Sequence, residues 1–548
     1  MIRLLLIALI LTSVAHAQWS TDPSNNLIVG HGLLPEACSD SAGGAYVTYE
    51  NNTVYPRQVE LRRVNRYGDQ PWASSRIIQG LWPETRYAQI VSDGQGGVLI
   101  AYVDRLQYPP PSFGAYHQRV RVQRVDSSGT FLWGQYGVRV SLAEHTQSNN
   151  QYPAVIPDGT NGCIVMWLDT LNALRVQRFD GMANRLWGDS GMYVATTAPT
   201  NLLIPDGAGG CFLVYSGPKI QHIDSSGNKL WGIDGIQIND MGVAKIAGDG
   251  SGGAVLAGMK YISYNNGDPL WAAKAQRVDS LGQFVWGTNG ATLADSIQGA
   301  GLSPPGVALA VNTDHGGTIA WGRKTSPDTT GTFVQRVRGH GSLVYSRGGI
   351  FVSPSSSLRS VFLAVSSEEN STIIVWTDDR APSGTYAQRI DSTGERCWDS
   401  SRVAISLPTL TYESAVTDGA SGMIVIGFHE DFSIRAQQVN RIGILGLVIT
   451  SVAGSRETDL PNQPELLQNF PNPFNPQTRI RFTLPRSERI TLTLYNILGQ
   501  SVKLITSGVQ DAGVHSVVLD AHDLPSGVYL YRLKTPQTVL TRKLIILK

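Results

Sequence analysis

Between Asp40 and Leu447 one block of residues is written eight times, and this repetition limits the fold more than any other feature of the chain. Its first half reads Asp93-Gly-Gln-Gly-Gly-Val-Leu-Ile-Ala-Tyr102. It recurs from Asp40, Asp158, Asp206, Asp249 and Asp418, and in degenerate form before Gly317 and Ser371. Its second half reads Val122-Gln-Arg-Val-Asp-Ser-Ser-Gly-Thr-Phe-Leu-Trp133. Further copies end at Trp72, Trp187, Trp231, Trp286, Tyr345, Trp398 and Leu447. The step from the turn residue, such as Asp126, to the aromatic position is seven residues in all eight. The repeats run from about 43 to 65 residues.

Each copy holds four short runs of β-branched and aromatic residues bounded by Asp, Gly and Ser. In the second copy these are Tyr87–Ser92, Val98–Tyr102, Arg119–Val125 and a run from Phe131 to near Val140. The turns have a local cause: Asp caps its own turn and Gly supplies a positive φ. Four strands in about 50 residues is the unit of a β-propeller. The expected fold is therefore all-β, an eight-bladed propeller over residues 18–450, with seven blades or a β-helix as alternatives. Trp133, Trp187, Trp231, Trp286 and Trp398 are expected to fill the spaces between blades. Trp19 followed by Leu27-Ile28-Val29 resembles a stray fourth strand that closes the ring in the last blade.

Composition agrees. The chain has 548 residues, 42% of them hydrophobic, and a net charge of +1, which excludes a disordered chain and a nucleic-acid binder by bulk charge. Charged residues are 16%, low for a soluble domain, and glycine is high at 58, as repeated turns require.

In such a ring the uniform Asp-Gly and Asp-Ser-Ser-Gly turns share one rim, and the variable connections share the other. Variable loops on a rigid scaffold are where binding residues sit. Three stand out: Asp104 to His117, Gly258 to Lys274, and Asp378 to Thr385. The expected ligand face is Asp104, Tyr108, Tyr116, Tyr261, Tyr264, Trp271, Asp378 and Arg380, whose aromatics suit a sugar ring or a protein anchor, the alternative being that they plug the channel mouth or pack on neighbouring blades.

Catalytic signals are weak. The repeated Asp93, Asp158, Asp206, Asp249 and Asp418 occupy one turn slot round a ring, so they do not converge. The Asp-Ser-Ser-Gly…Trp motif resembles the Asp-box of sialidase-like propellers, but here Asp precedes Gly by three positions, and no sialidase residue carries over. No HExxH, G-x-S-x-G or P-loop occurs, so neither a catalytic or metal residue nor a cofactor is expected. Rim carboxylates (Asp104, Asp169, Asp378 and Asp379) keep a glycan-active hydrolase or lyase as the alternative, and a structural surface component as a third. Cys38, Cys163, Cys211 and Cys397 contain no CxxC, and four buried free thiols are expected.

The ends address the protein. Met1 to Ala17 carries Arg3, an apolar run and Ala15-His16-Ala17, the pattern of a cleaved signal peptide. The run is too short to span a bilayer. After a linker at 451–464, residues 465–548 hold ten Lys/Arg against five Asp/Glu, and six strand-like runs that suggest a small β-sandwich. Leu467-Gln-Asn-Phe-Pro-Asn-Pro-Phe-Asn-Pro476, Leu494-Tyr-Asn-Ile-Leu-Gly-Gln500, Leu524-Pro-Ser-Gly-Val-Tyr-Leu-Tyr-Arg-Leu533 and Thr541-Arg-Lys-Leu-Ile-Ile-Leu-Lys548 follow in order. This segment resembles the type A C-terminal sorting domains of the type IX (Por) secretion system.

The resemblance implies an Ig-like fold and recognition by the type IX machinery at the outer membrane. Cell-surface or extracellular localisation would follow. On that basis Asn472, Pro473, Phe474, Asn475, Pro476, Gly499, Gly527, Tyr529, Lys543 and Lys548 carry the sorting signal. Trp376-Thr-Asp-Asp-Arg380 with Tyr386-Ala-Gln-Arg-Ile-Asp391 resembles uncharacterised repeats of similarly sorted surface proteins. The whole reads as an exported monomer that binds an extracellular glycan or protein, with no nucleic-acid partner and no stable transmembrane segment.

Overall fold

The computed structural model describes residues 19–107, 116–142, 146–147, 153–169, 171–196, 199–265, 268–298, 304–326, 329–355, 361–366, 371–378, 382–398, 402–407, 409–446, 464–466, 469, 476–510 and 513–546. The signal-peptide and linker segments lie outside them. Every regular element among the described residues is a β-strand. The chain divides into two compact units, Met1–Cys397 with Arg402–Leu447, and Val448–Lys548 with the short stretch Trp398–Ser401.

In the first unit the described strands form eight antiparallel sheets, here numbered along the chain. Sheet 1 contains Leu33–Ser39, Ala45–Asn51, Gln58–Val64 and Arg76–Ile78 in sequence order. Sheets 2 to 7 repeat this meander, beginning at Glu84, Ala154, Pro199, Gly242, Val307 and Val361. Sheet 8 has three strands of its own, Thr411–Thr417, Met423–Phe428 and Ser433–Val439. Its fourth is Leu27–His31 from the start of the chain, which pairs with Ser433–Val439. The first strand of each sheet packs on the first strand of the next, and that of sheet 8 packs on that of sheet 1. The sheets therefore run round a closed, propeller-like ring.

The repeat motif explains this geometry residue by residue. At six of the first turns one Asp oxygen accepts two backbone N–H groups: Asp93 from Gln95 (2.8 Å) and Gly97 (2.7 Å), Asp249 from Ser251 (2.7 Å) and Gly253 (2.8 Å). The closing glycine is obligatory, because a Cβ on Gly162 would stand 1.9 Å from the Phe179 carbonyl oxygen. The second Asp oxygen holds a third-strand side chain, an arginine in Asp93–Arg124 (2.8 Å) and Asp249–Arg277 (2.9 Å), His222 at Asp206 and Gln438 at Asp418. The arginine then donates to a carbonyl of the next sheet: Arg124 to Asn161, Arg178 to Ser225, Arg277 to Gly339. These three turns are thereby tied both to their own sheets and to their neighbours.

The preceding glutamine places the tryptophan. Gln123 accepts from the Trp133 backbone N–H (3.1 Å) and donates to the Gly134 carbonyl (2.6 Å). Gln177, Gln221 and Gln276 do the same for Trp187, Trp231 and Trp286. Trp133 then enters a core shared by sheet 2 (Leu99, Val122) and sheet 3 (Val165, Trp167, Phe179), its ring 6.2 Å from Phe179. Trp72, Trp187, Trp231 and Trp286 occupy the matching cores between their own sheets and the next. The four cysteines are unbridged; Cys38, Cys163 and Cys211 are buried and Cys397 half-buried.

The second unit is two sheets around one core. Glu465–Leu466, Gln477–Leu484 and Gly513–Asp520 form one; Glu488–Asn496, Ser501–Gln510, Gly527–Lys534 and Val539–Ile546 form the other. Ile480, Phe482 and Leu519 from the first meet Leu492, Leu494, Tyr531 and Leu544 from the second. Alternation supplies this face: in Gly527–Lys534, Tyr529, Tyr531 and Leu533 are buried and Val528 and Arg532 are exposed.

Candidate functional site

The variable rim of sheet 5 carries the clearest surface feature. Its second and third strands, Ala254–Asn265 and Asp268–Val278, form a hairpin twice the length of that in sheet 4, where Cys211–Tyr215 and Lys219–Ile223 have five residues each. Tyr261 stands directly opposite Trp271. The register shifts between Tyr261 and Ser263, so Ile262 is an extra residue. In a regular strand Tyr261 and Tyr264 would face opposite sides; the bulge brings them to one side. The Tyr261 ring lies 5.5 Å from Tyr264 and 5.6 Å from Trp271, both edge to face. Tyr261 is 44% exposed and Tyr264 58%. The Trp271 indole N–H is buried without a hydrogen-bond partner.

An ion cluster lies on the other face of the hairpin, because Lys260 alternates with Tyr261. Asp240 bonds both Lys260 and Lys274, the latter at 2.6 Å. These two ammonium groups, more than any other influence, hold the Asp240 carboxyl below its ordinary range. Sequence reasoning missed this triad, because Asp240 lies 20 residues before Lys260 and only the sheet brings them together.

The other expected ligand-face residues are placed differently. Asp104 is fully buried. It pairs with Arg121 at 2.8 Å and accepts the backbone N–H groups of Leu81 and Trp82. Burial dominates and raises its carboxyl above the ordinary value despite those donors. Asp378 is likewise fully buried and bonded to Arg402. Asp169 pairs with Arg175 at 2.6 Å. These three carboxylates hold one repeat position in or just past the second strands of sheets 7, 2 and 3, each two residues past Trp376, Tyr102 or Trp167, and each has its own arginine. They stand apart as structural pairs on separate sheets. Tyr116 opens a strand of sheet 2, opposite Gln107 and Gln147. Tyr108, Asp379 and Arg380 lie outside the described residues. No group of three or more His, Cys, Asp or Glu able to hold a metal occurs among the described residues.

In the C-terminal unit, Asn472, Pro473, Phe474, Asn475 and Lys548 lie outside the described residues. The Pro476 carbonyl accepts from Ala521 at 2.9 Å. Gly499 has a φ of +78° in the exposed turn after Asn496. Gly527 opens a strand opposite Ile546, and Lys543 stands opposite Leu530. Tyr529 is buried and donates its hydroxyl to the Pro525 carbonyl at 3.0 Å.

Residues 468–547 match the family of secretion system C-terminal sorting domains. The C-terminal unit thus carries a type IX sorting domain, and the protein is exported to the cell surface or extracellular space. Its partner through this unit is the type IX secretion machinery. Among curated proteins, none matches the chain. Among solved structures, a protein of unknown function from Dyadobacter fermentans is similar at 10% identity, over 77% of this chain and 95% of that one, with a TM-score of 0.30. The GH93 α-L-arabinofuranosidase of Fusarium graminearum is similar at 12% identity, over 76% and 97%, with a TM-score of 0.31. Prolyl oligopeptidase B of Galerina marginata is similar at 12%, over 70% and 55%, with a TM-score of 0.30.

Proposed function

We propose that this exported protein is an eight-bladed β-propeller followed by an Ig-like sorting domain, and that the propeller binds a polysaccharide at its variable rim. The observation that carries the reading is the bulged hairpin of sheet 5, which gathers Tyr261, Tyr264 and Trp271 on one side. Exposed aromatic rings offer an apolar face to the C–H faces of a sugar while their polar edges stay wet. A register shift that serves no ladder hydrogen bond is the kind of local irregularity found beside binding sites. Binding is favoured over hydrolysis because Asp104, Asp169 and Asp378 are each neutralised by a private arginine. A glycosidase needs two carboxyl groups within about 5–10 Å of each other across the scissile bond.

The test is a glycan array probed with the mature protein and with Tyr264→Ala and Trp271→Ala. Signal on a polysaccharide that either change weakens supports the reading. Signal only on a protein array, or glycan signal untouched by both changes, overturns it.

A further inference from the structure

The position seven residues past the last residue of the first turn (Gly97, Gly162, Gly253, Gly316 and Ser371) changes sign round the ring. Sheets 2, 3 and 7 place Asp104, Asp169 and Asp378 there; sheets 5 and 6 place Lys260 and Arg323. The acids are cancelled by Arg121, Arg175 and Arg402. The bases are not cancelled in the same way. Asp240 is shared between Lys260 and Lys274, leaving one positive charge over, and Lys260 is 43% exposed along its side chain. Arg323 has no ion-pair partner among the described residues and rests over the Phe333 ring at 5.4 Å.

The first strands add a third base. Lys245, opposite Ala257, occupies the same position in sheet 5 as Glu36, opposite Thr48, in sheet 1 and Gln89, opposite Ala101, in sheet 2. The matching residues in sheets 3, 4, 6 and 8 are Ala154, Leu202, Ala308 and Ser414. Gln89 donates to Glu36 at 3.0 Å, and the Lys245 charge acts on Glu36 from across the ring, so all three side chains look into its interior. Lys245 itself is exposed and makes no salt bridge among the described residues. Along the same strand Gly242, Ala244 and Gly248 are exposed too, which leaves this wall open. Tyr261 lies four residues further along the paired strand than Ala257, about 13 Å away and on the same face.

We infer that sheets 5 and 6 form a subsite for an anionic polysaccharide: Tyr261, Tyr264 and Trp271 stack its sugar rings, and Arg323 and Lys245 take its acidic groups from the rim inward. This rests on the glycan reading above and adds the charge class of the ligand. The Arg323 guanidinium and the Lys245 ammonium, neither in a salt bridge among the described residues, are suited to carboxylate or sulfate.

The experiment is calorimetric titration of the mature protein with polygalacturonate, with heparin and with a neutral galactan, at about 50 mM and about 300 mM salt. Polygalacturonate or heparin is expected to bind more tightly than galactan, and to weaken as salt rises. Binding of polygalacturonate shows that carboxylate suffices, and binding of heparin, which carries carboxylate and sulfate, without polygalacturonate shows that sulfate is required. Lys245→Met and Arg323→Met are each expected to lower affinity for the polyanion that binds by about fivefold and to leave galactan unchanged. Tyr264→Ala is expected to weaken both classes. Equal affinity for neutral and acidic polymers, or an acid preference that survives both cation variants, overturns the anionic subsite and leaves glycan binding standing. No binding to any of the three, with no polysaccharide signal on the array, overturns both.

Discussion

The indole N–H of Trp19 donates to the backbone carbonyl of Arg66 at 3.0 Å. Elsewhere in the ring the same bond is made between consecutive sheets: Trp72 to Ser127, Trp133 to Gly181, Trp187 to Ser225 and Trp286 to Gly339. The eighth repeat has Leu447 where the others have an aromatic ring. Trp19 takes that role from the other end of the chain. It is 2% exposed, in a core made of sheet 8 (Ile424, Ile426, Ile434) and sheet 1 (Ala45, Val47, Tyr49). Together with the pairing of Leu27–His31 on Ser433–Val439, it joins the two ends of the ring.

Trp19→Ala is therefore expected to cost about 3–5 kcal/mol, the range for emptying a large aromatic site. Trp19→Phe keeps most of the apolar contact and forfeits mainly the hydrogen bond, roughly 1 kcal/mol. Urea unfolding of the mature protein measures both. Equal, small effects would mean that the ring closes without this residue.

The turn clamp gives a second comparison. Asp249 is 1% exposed and bonded to Arg277, which also reaches Gly339 in the next sheet. Arg277→Ala leaves a buried carboxylate without its cation and is expected to cost about 3–5 kcal/mol. Arg347 and Asp295 form a surface pair with side chains 60% and 47% exposed. Arg347→Ala is expected to cost under about 1 kcal/mol. Thermal or urea unfolding of the two variants side by side checks the contrast.

Acid should open the ring. Burial opposes the charge on Asp158, Asp206 and Asp249, but their combined hydrogen bonds outweigh it and hold all three carboxyls below the ordinary range. A depressed folded value contributes stability that is complete above the unfolded value, near about 3.9, and is lost as pH falls through the folded one. Asp104 is raised instead, chiefly by burial, so its protonation acts in the opposite sense. The clamps are the more numerous. The unfolding midpoint is expected to stay level from about pH 7 to about pH 5 and to drop below about pH 4. A midpoint that holds constant to pH 2 would show that the clamps do not carry this linkage.

Removal of residues 465–548 is expected to leave the propeller folded and to stop export. Each unit has its own closed core, so the loss should fall on sorting rather than on stability. Cell fractionation with immunodetection should find the truncated protein in the periplasm. Normal surface display of the truncated chain would contradict the assignment of export to this unit.

Local chemistry made much of this protein legible in its sequence. The Asp-Gly turns, the seven-residue step to tryptophan and the strands of the sorting unit depend on neighbours within a few positions. Trp19 and Leu27–His31 were readable as a displaced end of the repeat for the same reason. Long-range placement decided the rest. Asp104 and Asp378 read as rim carboxylates because a linear chain does not show that Arg121 and Arg402 fold over them. A single extra residue, Ile262, chose the side on which three aromatic rings meet, and strand alternation alone predicts the opposite side. Lys245 lies within an unremarkable apolar stretch, and it became a candidate contact only when eight first strands closed round an interior that it faces. Turn type and strand period are set by nearest neighbours, so the sequence by itself determined the sheets and the address. Burial, ion pairing and the side a ring faces are set by residues far away in the chain, so only the tertiary structure decided where a ligand could be held.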